Sequence, residues 1–338
     1  MKKVVLGRTG ESVSQAGLGC MLMGTTVDKT TSFVMLDRFI NQGGNFLDTA
    51  NCYAWWIGKG EYVGDESENI LGEWMKERKN RGKVFLATKV GARLKDPKKM
   101  RDDKGNILWD LLPGEYEYLA PETIRKSIEG SLKRLQTDYI DLYYTHIDDR
   151  TTSMEETLEV LNLLVKEGKV RYIGCSNLRT WCLERARCIS AAQGWSSYIA
   201  VQQQYSYLRP KPGADFGITV NVDDELLDYL HAHEDVTLVA YSPLLKGIYD
   251  DRQKREAYYN WQLFNNDDTQ VRLESLSKMA KGLGVTSNQL VLAWLLHHQP
   301  RVIPLLGASK LEQFDQNMKA IDIQLTGEQM SVLNSASA

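Results

Sequence analysis

Eight short apolar segments, each followed by a segment of helical spacing, predict an α/β chain. The expected architecture is one closed (β/α)8 TIM barrel with an N-terminal β-hairpin and long loops at its C-terminal face. Three observations carry this reading. The strand segments are nearly continuous in Val, Ile, Leu and aromatic residues, as strands covered on both faces must be. Strands and helices alternate along the chain, and right-handed crossovers close such a parallel sheet naturally at eight. A doubly wound sheet would want a GxGxxG turn between strand and helix, and GLGCMLMG (17–24) lacks that spacing.

The opening VVLGRTGESVSQ reads as a hairpin of two short strands around Arg8-Thr9-Gly10, placed to plug the lower end of the barrel. The barrel strands follow as AGLGCM (16–21), NFLD (45–48), KVFLATK (83–89), YIDLYYTH (139–146), VRYIGCS (170–176), YIAVQ (198–202), VTLVAY (236–241) and RVIPL (301–305). Helices are expected over 29–42, 66–79, 121–136, 153–167, 178–192, 223–233, 268–298 (as two helices) and 309–320. Ser67, Ser153 and Asp223 are placed as N-caps, and Pro121 suits a first helical turn. Ile124, Ile128, Leu132 and Leu135 recur at helical spacing and predict a buried stripe, with Lys126, Glu129 and Lys133 outside. Gly168 stops the next helix before the fifth strand. Loops 90–120, 207–222 and 245–267 follow strand ends and have the length of functional loops. With no repeat, low-complexity tract or linker, residues 1–338 are expected to form a single domain.

Composition narrows the function. A hydrophobic content of 43% and a charged content of 25% fit a globular chain with a sizeable core. A net charge of −3 gives no reason to expect nucleic acid or an anionic membrane as partner. MKKVVLGRTG has no apolar h-region, so no signal peptide is expected, and the apolar run Leu290–Leu296 is too short to span a bilayer. Five cysteines without CxxC spacing argue against a metal cluster or disulfide framework and for reduced thiols in a cytoplasmic enzyme. Cys52 reads as a small loop residue, with reactivity towards electrophiles as its alternative.

The strand ends carry the chemistry. Apolar runs finish at Asp48, Lys89, His146, Ser176-Asn177, Gln202 and Tyr241, and a closed barrel places such ends in one ring. Each alone has an ordinary reading as a turn residue, a solvated cation or a core polar group; their convergence does not. Reduction of a carbonyl by hydride creates an alkoxide that needs a proton and aimed donors. A free tyrosine, with a pKa of about 10, is a poor acid-base group at neutral pH. A lysine beside Tyr53 is expected to lower that pKa, a carboxylate to hold the lysine, and a neutral imidazole to orient the carbonyl.

At these places the sequence resembles the aldo-keto reductase family. NFLDTANCY, FLATKV and DLYYTHIDD supply Asp48, Tyr53, Lys89 and His146 in the family's order. The resemblance, which runs from LGRTGESVSQAGLG through the last helix, implies an NAD(P)(H)-dependent oxidoreductase. Tyr53 would be proton donor or acceptor, His146 would place the carbonyl, and Asp48 with Lys89 would tune Tyr53. It also implies that Ser176, Asn177 and Gln202 bind the nicotinamide carboxamide and that Tyr241 stacks on the ring, with Met21, Ser242 and Leu244 adding contacts. VIPLLGASKLEQFDQN (302–317) resembles the adenosine-phosphate site, which implies backbone approach at Gly307. It assigns Ser309, Lys310 and Gln313 to a ribose 2′-phosphate, and Gln316 and Asn317 to adenine. No arginine stands in this stretch, where many relatives have one, so NADP(H) is favoured while NAD(H) stays open. Trp55, Trp56 and Trp109 are expected to wall the substrate site, with Tyr116 and Tyr118 closing over it; a small carbonyl compound or a sugar suits such walls. Two other readings stand beside this one. Family members also serve as cofactor-bound accessory subunits of potassium channels, which the short N-terminal segment here argues against. Lys89 could instead form a Schiff base as in lysine-dependent aldolases, against which Asp48 argues by keeping the amine protonated.

Overall fold

Lys3–Val5 (β1) and Ser12–Ser14 (β2) pair antiparallel in the computed structural model, which describes residues 1–337. Eight parallel strands follow: Gly17–Gly19 (β3), Phe46–Asp48 (β4), Phe85–Val90 (β5), Ile140–Thr145 (β6), Val170–Ser176 (β7), Tyr198–Gln204 (β8), Thr237–Tyr241 (β9) and Val302–Leu306 (β10). They form a closed barrel, with β10 hydrogen-bonded to both β9 and β3. The helices are α1 (Lys29–Asn41), α2 (Glu66–Arg78), α3 (Leu112–Glu115), α4 (Pro121–Leu135), α5 (Met154–Lys166), α6 (Thr180–Gln193) and α7 (Asp224–Ala232). They continue as α8 (Arg252–Glu256), α9 (Trp261–Phe264), α10 (Asp267–Leu283), α11 (Ser287–Leu296), α12 (Leu311–Lys319) and α13 (Gly327–Ser335). The expected barrel and its hairpin are both present. Leu6 and Val13, at the hairpin, are fully buried and join the cluster inside the barrel, which is how the plug holds.

Helix boundaries follow the local chemistry. Ser153 and Asp223 cap α5 and α7, accepting from the amides of Glu156 and Leu226. Ser67 does not cap α2. It lies inside the helix, fully buried, and its hydroxyl bonds the Cys20 carbonyl at 2.8 Å and the Thr49 hydroxyl at 2.7 Å. The Glu66 carboxylate instead reaches back to the amides of Val63 and Gly64, so the start of α2 is held by a first-turn acid. On α4 the stripe Ile124, Ile128, Leu132 and Leu135 is buried as its spacing requires. The long loops hold the short helices α3, α8 and α9, and α13 was not signalled by the apolar pattern because only Leu333 on it is buried. Among the described residues no helix is long and apolar enough to cross a membrane.

Two helix glycines predict opposite outcomes. A Cβ at Gly72, inside α2, would lie 2.1 Å from the Arg134 carbonyl oxygen of α4, whereas one at Gly282, inside α10, meets nothing within 4 Å. Gly72→Ala is expected to cost about 3 kcal/mol through overpacking. Gly282→Ala should gain up to about 1 kcal/mol from helix propensity. Urea unfolding of both variants checks the pair: equal shifts of the midpoint would contradict the close α2–α4 crossing.

Candidate active site

A barrel strand turns alternate side chains inward, so each strand contributes one short inward row. The rows are Phe46 and Asp48 on β4, Phe85, Ala87 and Lys89 on β5, and Leu142 and Tyr144 on β6, with His146 just beyond the strand end. Phe46, Phe85, Ala87, Leu142 and Tyr144 belong to one buried cluster with Leu6, Val13, Ala200, Val239, Ile303 and Leu305. This is an apolar floor. The next members of the rows are the polar ones, and they stand on it at the C-terminal end. Gly174 makes room inside, since a Cβ there would lie 2.7 Å from the Tyr144 ring.

Four of the predicted residues come together. The Lys89 ammonium donates to Asp48 Oδ1 at 2.5 Å, to the Tyr53 hydroxyl oxygen at 2.7 Å and to the Thr49 carbonyl at 2.8 Å. Its three protons therefore have three acceptors, although the side chain is 0% exposed. Asp48 is satisfied at its other oxygen by Gln202 Nε2 at 2.8 Å. The Tyr53 and His146 rings meet edge to face with centroids 5.7 Å apart. Thr49 enters through its main chain, which no residue pattern would have signalled.

Burial dominates the electrostatics. It pulls the Asp48 carboxyl upward from the ordinary range, against the pull of the Lys89 ammonium and the Gln202 amide. Burial, and after it the charge of Asp48, hold the Tyr53 phenol well above its usual value. The lowered pKa expected beside Lys89 is therefore corrected in its net direction: loss of solvent, and after it the Asp48 charge, raise it and hold Tyr53 as a neutral phenol. Burial and then the Lys89 charge push the His146 imidazole well below its usual range, so it is neutral, as expected. The site thus holds one ion pair, one phenol with its proton on and one neutral imidazole.

The residues expected around a nicotinamide also converge. Ser176 Oγ donates to the Gln202 carbonyl at 2.7 Å, across the β7–β8 register that pairs these two residues. Asn177 takes a left-handed φ of 55°, which asparagine tolerates, and its Nδ2 donates to the His146 carbonyl at 2.9 Å. Its Oδ1 accepts from the Tyr241 hydroxyl at 2.7 Å and the Val220 amide at 3.1 Å. Gln202 spends its Nε2 on Asp48, which leaves the carbonyl end of its amide to accept. After β9 the chain turns sharply: Ser242, Leu245, Lys246 and Gly247 all have positive φ, and buried Leu245 anchors the turn. Met21 and Ser242 are exposed and Leu244 half-buried.

At the other predicted cofactor region, α12 begins without a side-chain cap, so its first amides are free to meet an anion. A cavity of about 260 Å³ opens there, lined by Ser309, Lys310, Leu311 and Glu312 on one side and Thr26, Val27, Asp28 and Thr31 on the other. Gln313 Oε1 accepts from the Ser309 amide and hydroxyl at 3.0 and 2.9 Å. Asn317 Nδ2 donates to the Gly307 carbonyl at 2.9 Å, and Gln316 is engaged with Gln289 at 3.0 Å. The uncapped start of α12 and the Lys310 cation among the lining residues suit a phosphate-bearing group.

The aromatic residues divide. Trp55 is buried in a cluster with Ala50, Cys52, Ala92, Leu94, Met100, Tyr116 and Ile147, so its main contacts pin the loop. Trp56, half-buried, packs against that cluster and meets Trp55 at 6.0 Å, edge to face. Trp109 is 57% exposed, 6.2 Å from Trp55, and Tyr116 is buried rather than free to close over the mouth. Cys52 is buried too, where sequence left it a loop thiol; loss of solvent raises its pKa to about 12, so it is not an activated nucleophile. Behind this segment Arg93 donates to the Asn51 carbonyl at 2.7 Å and pairs with Asp65. Arg134 joins Asp65 to the fully buried Glu68, which accepts from Thr88 at 2.5 Å. The segment carrying Tyr53 is thereby tied to α2, α4 and β5. Among the described residues no cluster of His, Cys, Asp or Glu could hold a metal.

Comparison with known proteins agrees with this geometry. An uncharacterized oxidoreductase, YrpG, of Bacillus subtilis is 33% identical over 340 residues, covering 99% of this chain and 95% of that protein. An NADP(+) aryl-alcohol dehydrogenase of Phanerodontia chrysosporium is 29% identical over 348 residues, covering 96% and 83%. The holo form of an aldo-keto reductase from Bacillus halodurans superposes with a TM-score of 0.73 at 27% identity, covering 100% of this chain and 97% of that one. The Aldo/keto reductase family model matches residues 16–338, from the first barrel strand onwards. With the parallel barrel, the polar ring at its C-terminal mouth and a family match over nearly the whole chain, this oxidoreductase belongs to the aldo/keto reductase family.

Proposed function

We propose that this chain interconverts a carbonyl compound and its alcohol with NADP(H) as the preferred partner, Tyr53 acting as proton donor in reduction. The observation that carries the reading is the chain of contacts from Asp48 through Lys89 to the Tyr53 hydroxyl, at 2.5 and 2.7 Å, on a dry floor. A bound reduced nicotinamide supplies the hydride. His146 donates to the carbonyl oxygen and polarises it. Tyr53 gives its proton to the oxygen as negative charge grows there. The Lys89 ammonium, already bonded to the phenol oxygen, then stabilises the phenolate that remains. Asp48 pairs with Lys89 and aims it at the phenol oxygen. Ser176, Asn177 and Gln202 would hold a carboxamide, and Tyr241 would cover the ring.

Trp56 and exposed Trp109 favour a flat, apolar partner, and the NADP(+) aryl-alcohol dehydrogenase among the relatives supports an aryl aldehyde or ketone as the substrate class. Loss of nicotinamide absorbance against a panel of aryl, alkyl and sugar carbonyls tests the reading. No turnover on any of them would refute it.

Lys310 and Ser309 favour the 2′-phosphate, while Asp28 and Glu312 on the same cavity limit the margin over NADH. Lys310→Ala is expected to weaken NADPH binding about five- to tenfold and leave NADH within about twofold. Fluorescence titration with both nucleotides measures this, and equal weakening of the two would contradict the assignment of Lys310.

A further inference from the structure

The imidazole of His146 is held by few contacts, and one of them is with a residue that the proposed reaction does not use. Its main chain is fixed by the amide donating to the Val90 carbonyl at 2.8 Å and the carbonyl accepting from Asn177 Nδ2 at 2.9 Å. Its ring meets the edge of Tyr53. The remaining contact is from Nδ1 to Cys52 Sγ, at 3.5 Å, within hydrogen-bonding range for sulfur. Among the described residues Nε2 has no hydrogen-bond partner, so it is the free edge of the ring.

A neutral imidazole carries one N–H and one lone pair, and the partner of one nitrogen decides the state of the other. Two arrangements satisfy the Cys52 contact. In one the thiol donates to Nδ1 and the proton sits on Nε2. In the other Nδ1–H donates to sulfur and Nε2 bears a lone pair. Thiol sulfur is a weak acceptor, whereas an imidazole nitrogen is a good one, so the first arrangement is the better pairing. The thiol has its proton to give, because burial keeps it from ionising. Only the first arrangement leaves Nε2 able to donate to a carbonyl oxygen.

We propose that Cys52 is a positioning residue whose S–H holds the His146 imidazole in the Nε2–H tautomer, the form able to donate to a substrate oxygen. The inference deepens the reading of His146 given above and rests on it for its catalytic consequence. Cys52 is fixed where it must be: it is 4% exposed and belongs to the buried loop cluster that includes Trp55, Ala92 and Ile147. It precedes Tyr53 directly, so the two residues that would define the donor pair on the carbonyl oxygen, one through its own hydroxyl and one through His146, are neighbours in sequence.

The test uses the full chain labelled with 15N-histidine, as wild type, Cys52→Ser and Cys52→Ala, with His146→Asn assigning one of the five histidines. Without substrate, the His146 signals of wild type and Cys52→Ser should be those of an Nε2–H ring, and Cys52→Ala should shift towards a tautomer mixture. With NADPH and an aryl aldehyde, Cys52→Ala should lose about five- to tenfold in kcat at nearly unchanged KM, and Cys52→Ser should recover most of it. A wild-type ring protonated on Nδ1 would overturn the proposal. So would an active Cys52→Ala variant with the wild-type tautomer and kcat. A protein inactive on all carbonyls that still shows the Cys52-dependent tautomer shift would support the tautomer assignment and refute the reductase reading alone.

Discussion

Tyr53→Phe is expected to lower kcat for carbonyl reduction by about 10²–10⁴-fold, the usual contribution of a positioned general acid, with KM little changed. The variant removes one of the three acceptors of the Lys89 ammonium and leaves the other two in place. Lys89 keeps Asp48 and the Thr49 carbonyl, and Asp48 keeps Gln202. Structure and nucleotide affinity should therefore survive while the proton source does not. The resting phenol is held protonated by burial, so wild-type reduction should not fall off because Tyr53 ionises near neutral pH. Steady-state kinetics with the preferred nucleotide check the prediction, and a Tyr53→Phe enzyme with wild-type kcat on every accepted carbonyl would remove Tyr53 from the mechanism.

Lys89→Met carries the second large effect, and it falls on stability as well as activity. Lys89 and Asp48 are 0% and 1% exposed, so removing the cation leaves a buried carboxylate with Gln202 as its remaining side-chain donor. Breaking a buried pair from one side costs about 3–5 kcal/mol. For a chain of this size that corresponds to a fall in Tm of about 4–7 °C. Replacing both partners removes the uncompensated charge. Lys89→Met combined with Asp48→Leu is therefore expected to regain most of the lost stability. It should regain none of the activity, since the phenolate left by proton transfer would have no cation beside it. Calorimetry and turnover on the single and double variants separate the two roles; a double variant no more stable than Lys89→Met would argue against a net cost of the buried charge.

The sequence by itself determined the barrel and the identity of the polar ring. Apolar runs of four to eight residues ending at Asp48, Lys89, His146, Ser176 and Gln202 read as strands covered on both faces, as in a parallel sheet, and period two then fixes which members point inward. Capping chemistry located α5 and α7 because Ser153 and Asp223 act on amides three residues away. Ser67 misled because its hydroxyl had a better offer from Cys20 and Thr49, residues 47 and 18 positions distant. Contacts at such separations leave no local trace. Only the tertiary structure decided that Tyr53 is held as a phenol, since the burial that raises its pKa, and the nearness of Asp48, are set by the fold. It also decided that Trp55 and Tyr116 pin loops while Trp109 stays exposed, and that the Cys52 thiol faces His146, 94 residues away along the chain. Residue type and spacing specify which groups line a barrel mouth; burial and the partner each group finds specify the protonation state in which it works.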